Sequence, residues 1–362
     1  MTTYRESGVD QTKGDSASSV AYKHAMATFA SRKGMIGEAV EDEGGFAGLL
    51  DMGDFYLVQN ADGTGSKMSI ALALKKYDTL GADLVAMVAD DAICCGAEVI
   101  ALTNTLDVPS ADQKIIDGLM KSLAKYCSEQ RIVIPGGEIA QVPGSVSEYV
   151  WNATSVGIVS KKSVLRPSEI KPCDAVLALK SAVARSNGFS LIRKILTDKF
   201  GKDWVHAPWK NGKSWGEITL TPSIIYHDAL LSLLGRYGEE RVVNVKGLAH
   251  VTGGGIPGNL PRILKHAGVG ADLTNLWMPN EALVDLIKLG NVPLLDAYET
   301  WNMGTGMFAV VEAKDVQHTI ELLKKKGINA VQAGLITEDP VLKLTTYTGE
   351  MLAFDAATGD VL

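Results

Sequence analysis

The stretch "FYLVQNADGTGSKMSIALALKKY" (55–77) decides the architecture. "FYLVQ" reads as a strand, and the apolar spacing of "MSIALALKKY" reads as a helix. Between them "NADGTGSK" (60–67) turns the chain on two glycines. A strand–turn–helix connection of this kind brings backbone N–H groups toward the helix N-terminus, which suits a phosphate. It is not a GxxxxGK[ST] loop, because only Gly65 lies close to Lys67 and a serine precedes that lysine. Asp62 would repel phosphate unless a divalent cation stood between them. Asp62 and Lys67 around Gly63, Gly65 and Ser66 therefore suggest a magnesium–nucleotide site. Taken alone, the loop reads more simply as an ordinary turn.

Working outward, the spacing predicts a helix near 18–32 and a glycine turn at "EGGFAGLL" (43–50). Strands are predicted at 55–59, 98–103, 131–134 and 150–159, with helices at 68–76, 82–95 and 112–127. "SKKSVLRPSEIKPCDAV" (160–176) carries charges and two prolines and is the candidate linker. Beyond it come strands at 175–179, 307–312 and 328–333, and helices at 189–198, 222–235, 259–266 and 315–326. The expected class is α+β or α/β in two domains, 1–165 and 166–362. No internal repeat interrupts the pattern.

At 362 residues, 46% hydrophobic and 21% charged, the chain has the composition of a soluble globular protein. The polar start "MTTYRESGVDQTKGD" is not a signal peptide, and no apolar run reaches the ~20 residues of a membrane span. The expected location is cytoplasmic. A formal net charge of −7 without a basic cluster argues against nucleic acid as a partner. Cys94, Cys95, Cys127 and Cys173 form no CxxC pair, and the first two read as small buried hydrophobes.

Other polar loops stand beside the first. "PGGEIAQVPG" (135–144) places Glu138 after two glycines, and "SNGFSLIRKIL" (186–196) opens a helix with Ser186, Asn187 and Gly188. "HVTGGGIPGNLPRIL" (250–264) holds three successive glycines, with Asn259 as a plausible N-cap. Asp90 and Asp91 lie in "GADLVAMVADDAICCGAE", an apolar pattern in which carboxylates are expensive unless paired or metal-bound. Asp91 reads as a metal ligand with Asp90 capping or neighbouring it, the alternative being a structural salt bridge. HExxH, GxSxG and GxGxxG are all absent, which argues against a zinc hydrolase, an α/β-hydrolase and a dinucleotide fold.

In order along the chain, "SGVD" (7–10), "GGFAGLL" (44–50), "DGTGSK" (62–67), "LKKYDTLGADLVAMVADD" (74–91), "GGEIAQVPG" (136–144), "SNGFSLIRKIL" (186–196), "LTPSIIY" (220–226), "AHVTGGGIPGNLPRIL" (249–264) and "WNMGTGM" (301–307) resemble the phosphoribosylformylglycinamidine cyclo-ligase (aminoimidazole ribonucleotide synthetase) family over nearly the full length. The resemblance implies a two-domain α+β subunit. Its N-terminal α/β domains would pair across a homodimer into a barrel-like sheet arrangement, with an α+β C-terminal domain covering the cleft. It implies ATP-dependent closure of formylglycinamidine ribonucleotide to aminoimidazole ribonucleotide, with ADP and phosphate released. Phosphoryl transfer to the formyl oxygen makes an iminophosphate, and the amidine nitrogen then closes the ring and expels phosphate, a reaction of positioning and charge stabilisation.

By the same resemblance Asp62, Asp90, Asp91 and Glu138 hold Mg²⁺. Gly63, Gly65, Ser66, Lys67 and Glu138 serve ATP. Arg185, Ser186, Asn187, Gly188, Thr252, Gly253, Gly254 and Asn259 serve the ribonucleotide. Asp62, Lys67, Asp91 and His250 carry the chemistry, His250 as an acid–base or oxyanion contact or as a structural histidine. The sequence departs from the family's usual residues at Asp90 (Asn), Gln141 (Glu) and Arg185 (His), and "YVWNA" (149–153) replaces "YDLAG". Rival implications are a small-molecule phosphate kinase of the same superfamily and a catalytically silent nucleotide-binding relative.

Overall fold

The computed structural model describes Gly8 and residues 11–362. Alternating apolar residues build a first, open sheet from β1 (Glu38–Val40), β2 (Gly48–Asp51), β3 (Phe55–Gly63), β4 (Glu98–Val108), β5 (Val133–Gln141) and β6 (Val150–Ser160), in the order β1-β2-β3-β6-β4-β5. All neighbours are antiparallel except β4 and β5. That parallel pair requires a crossover, which the helix Gln113–Gln130 supplies.

The alternation along β6 fixes the faces: Trp151, Ala153, Ser155, Gly157 and Val159 are buried, while Asn152, Thr154, Val156 and Ile158 are not. The buried face meets the helix Leu80–Ala92, of which every residue but Asp91 is buried. That helix lies so close to Gln113–Gln130 that a Cβ on Gly81 would stand 2.4 Å from the Leu123 nitrogen.

The second, open sheet runs β13-β12-β9-β11-β7-β10-β8. It consists of β7 (Ala175–Lys180), β8 (Val245–His250), β9 (Gly270–Leu273), β10 (Thr305–Val311), β11 (Ala330–Thr337), β12 (Val341–Thr345) and β13 (Met351–Asp355). Strands β8 and β10 are buried at every position and β7 at all but Lys180, the pattern of strands covered on both faces. The architecture is α+β on two sheets.

Several sequence expectations change. The first glycine loop is shorter than expected, since Asn60–Gly63 end β3. "PGGEIAQ" is part of β5, because Gly137 lets the strand approach β4: a Cβ there would lie 2.7 Å from the Asn104 carbonyl oxygen. The helix expected at 222–235 begins only at His227, and that expected at 259–266 is two short pieces, Gly255–Asn259 and Pro261–Leu264. Residues 160–176, the candidate linker or crossover, pack against the core at Leu165, Pro167 and Ile170. "SGVD" lies outside the described residues except for Gly8.

Candidate active site

The seam between the two sheets gathers most of the polar sequence features. On β3, Asn60 and Asp62 share the register face of buried Val58, turned toward the helix Leu80–Ala92. Asn60 Nδ2 donates to Asp91 Oδ2 at 2.9 Å, and Asp91 Oδ1 lies 2.7 Å from His250 Nδ1 at the end of β8. Because a carboxylate only accepts, Nδ1 carries the proton in this pair. His250 is fully buried, and its other nitrogen, Nε2, has no hydrogen-bond partner. Asn60 was not singled out in the sequence. Its signal is a polar residue at an inward position of an otherwise apolar strand.

Asp62 is open to solvent, and Oδ1 accepts from the Gly63 N–H at 2.6 Å. Protein crowding around the carboxyl raises its pKa through desolvation, and the nearby Asp91 charge raises it further. The Gly63 N–H and His250 pull the other way. Gly63 itself is required by space, since a Cβ would sit 2.1 Å from Asn152 Oδ1.

The glycine loops converge here. A Cβ on Gly65 would lie 3.8 Å from the Ser186 carbonyl oxygen, and one on Gly253 would lie 3.9 Å from Asn187 Oδ1. Asn187 Nδ2 reaches Met87 Sδ at 3.8 Å, and the Ser186 hydroxyl is buried without a partner. Gly188 takes φ +71° before the helix Phe189–Phe200, where a Cβ would meet Trp301 Nε1 at 2.4 Å. Thr252 and Gly254 (φ +87°) complete the turn out of β8.

Burial and pairing set four of the expected site residues apart from the solvent-facing ones. Lys67 does not face the cleft. It is fully buried, with Nζ 2.8 Å from Asp83 Oδ1 and 2.7 Å from the Thr221 carbonyl oxygen. Burial lowers the Lys67 pKa and raises that of Asp83, each opposed by the other's charge.

Asp90 is not placed as a metal ligand. Oδ2 lies 2.7 Å from Arg185 Nη2, and Oδ1 accepts the N–H groups of Tyr226 and His227 at 2.8 and 3.0 Å. Burial raises its pKa, against the pull of Arg185. Arg185 is therefore turned inward, with its side chain fully buried against Asp90. Asn259 is no N-cap, since it ends the helix Gly255–Asn259, and its Nδ2 holds the Gly253 and Gly255 carbonyl oxygens at 3.1 and 2.7 Å, bracing the glycine turn from within.

Glu138 also stands apart. Its register partner Thr105 pairs with Asn152, on the sheet's open face, whereas Asp62 pairs with buried Ala153. Three strand spacings, about 14 Å, and the sheet itself separate the two acids. Among the described residues no three His, Cys, Asp or Glu side chains are grouped to hold a metal. The oxygens that remain, Asp62 above all, fit a Mg²⁺ that arrives on phosphates and keeps its waters, not a protein cage. Beside the seam a cleft of about 660 Å3 is lined by residues of 39–50 and 59–61 with Lys265 and His266.

All four cysteines are free, and Cys94, Cys95 and Cys127 are buried, as expected for the first two. Among the described residues no helix is long and apolar enough to cross a membrane.

The family description "AIR synthase related protein, N-terminal domain" matches residues 44–159, and its C-terminal counterpart matches residues 171–346. A curated phosphoribosylformylglycinamidine cyclo-ligase of Thermococcus kodakarensis is 36% identical over 347 residues, 96% of this chain and 99% of that protein. One from Neisseria meningitidis is also 36% identical, over 93% of this chain and 95% of its own. Among solved structures, the HypE–HypF complex aligns with TM-score 0.59 at 17% identity, covering 84% of this chain and 91% of that one. T. maritima PurL complexed with AMPPCP aligns with TM-score 0.54 at 14% identity, over 85% of this chain and 45% of the other. These structures share the fold. With two matched domains and more than a third of its residues identical across nearly its whole length, the chain belongs to the phosphoribosylformylglycinamidine cyclo-ligase family.

Proposed function

We propose that the chain closes the imidazole ring of aminoimidazole ribonucleotide from formylglycinamidine ribonucleotide, at the expense of ATP, as a cytoplasmic enzyme of purine biosynthesis. The observation that carries this reading is the convergence at one seam of Asp62, the Asn60–Asp91–His250 chain and the three glycine turns at 63–65, 186–188 and 252–254. The cleft beside Asn60 has the volume of a nucleotide site and is the proposed place for ATP.

Asp62 would hold the magnesium ion, which when bound shields the phosphates and withdraws charge from the transferring phosphoryl group. Asp91 holds His250 Nδ1, and the buried, unpartnered Nε2 would be the ring nitrogen available to the reacting nitrogen or oxygen. Ser186, Asn187 and the backbone N–H groups of 252–254 would hold the ribonucleotide's phosphate or ribose. Residues 1–165 and 166–362 are proposed as the two domains. The uncovered face of the first sheet supports a homodimer in which two such sheets meet as a barrel-like arrangement. Glu138 on that face would then act, if at the nucleotide, across the subunit boundary.

The test is to give purified protein formylglycinamidine ribonucleotide, ATP and Mg²⁺ and follow aminoimidazole ribonucleotide and ADP together. Equal amounts of both are expected. ADP without the imidazole would replace this reading with a kinase or an uncoupled ATPase.

A further inference from the structure

Arg185 and Asp90 were each expected to touch a ligand, and each touches the other instead. Both side chains are fully buried, with Nη2 and Oδ2 2.7 Å apart. Their chain neighbours belong to the candidate site: Asp91 follows Asp90, and Ser186 follows Arg185. Arg185 adopts φ +56°, a left-handed conformation that a non-glycine residue holds only when its surroundings impose it. The guanidinium lies 4.9 Å from the Tyr226 ring centre, and Nη1 is 3.5 Å from the Gly306 carbonyl oxygen. A Cβ on Gly306 would stand 2.9 Å from Nη1, so the fork is wedged in place. The same Gly306 oxygen accepts the Val251 N–H at 3.0 Å, directly between His250 and Thr252. The guanidinium thus joins the acid-bearing helix to Gly306, whose oxygen also holds the start of the turn out of β8, while the Arg185 backbone leads directly into the Ser186–Gly188 turn.

We infer that Arg185 and Asp90 form a positioning pair, which holds the Ser186–Gly188 turn in register with Asp91 and His250 across the seam. The inference rests on the cyclo-ligase reading for its kinetic readout. A planar five-donor fork does this and a point charge does not, since lysine has one nitrogen for the partners that arginine meets with separate ones. Misplacement of a binding turn by about 1 Å costs about 100-fold in rate.

The test compares wild type, R185K and the charge-free pair D90N/R185Q by steady-state kinetics, thermal melting and amide hydrogen exchange of the full-length protein. R185K keeps the charge and D90N/R185Q removes both buried charges, so neither variant leaves an unpaired charge in the core, and thermal melting identifies the folded one. In the folded variant kcat/KM for the ribonucleotide is expected to fall by about 100-fold, with KM for ATP changed less than about threefold. Exchange at 186–188 should speed up while that within the helix Leu80–Ala92 stays as in wild type. A folded R185K or D90N/R185Q with wild-type kinetics and wild-type exchange would reduce the pair to a structural ion pair. If wild type makes no imidazole product the functional reading fails, and the exchange at 186–188 still decides the positioning role.

Discussion

At the scale of single residues, partners decide what an acid can do. Asp91 has Asn60 on one oxygen and His250 on the other, whereas Asp62 has only the Gly63 N–H and faces water. Asp62 is therefore the acid most available to a hard cation. Asp62→Asn should lower turnover by roughly 100-fold and raise the magnesium concentration for half-maximal rate. A magnesium titration of the variant that overlays the wild type would remove Asp62 from the metal. Asp62, Asp91 and His250 stood out in the sequence because an acid in a glycine turn, an acid in an apolar helix and a histidine ahead of three glycines are unusual placements. The partners of Lys67, Asp90 and Arg185 were not legible, because they are distant in sequence: Thr221 lies 154 positions beyond Lys67, and Arg185 lies 95 beyond Asp90. The departures at 90 and 185 turn out to be a single departure, two residues that complete one another.

At the scale of elements, long periodic segments were readable and short or glycine-bearing ones were not. Strand β6 and the helices Leu80–Ala92 and Phe189–Phe200 follow their apolar periods. Strand β5 reads as a loop because Pro135, Gly136 and Gly137 are poor strand formers, and the close approach to β4 explains Gly137. The segment 222–226 breaks the expected helix because the Tyr226 and His227 N–H groups are turned onto Asp90. His227, the first residue of His227–Leu234, is fully buried and accepts the Val99 N–H at Nε2, 2.9 Å away. Burial, and secondarily Arg236, pushes its pKa down to about 3 from 6.5. The unfolded chain then binds the proton more readily, so stability is complete above about pH 6.5 and declines as pH falls toward 3, by about 5 kcal/mol in all. His227→Gln keeps an acceptor without the proton site, and urea unfolding between pH 4 and 7 should show a flatter acid limb. An unchanged slope would assign the acid sensitivity elsewhere.

At the scale of the whole molecule, helices cover one face of the first sheet and leave the other to Thr103, Thr105, Asn152, Thr154 and Val156. Val156 lies between Gln59 and Ala101 in the middle of that face. If two copies meet there, Val156→Lys should yield monomers by sedimentation equilibrium with the fold intact by circular dichroism, and a dimer surviving the change would move the contact elsewhere. The two-sheet plan was legible from alternating strands and helices, but the absence of a loose joint between the sheets was not. Asp83 and Asp90 stand seven residues apart on one face of the helix Leu80–Ala92, and both accept N–H groups from the Ser223–His227 segment. Drawing the two halves apart would take from Asp90 both Arg185 and the Tyr226 and His227 N–H groups, and would leave Asp83 with Lys67 alone. The halves are therefore expected to unfold together, as a single calorimetric transition, and two separate transitions would show that they come apart first.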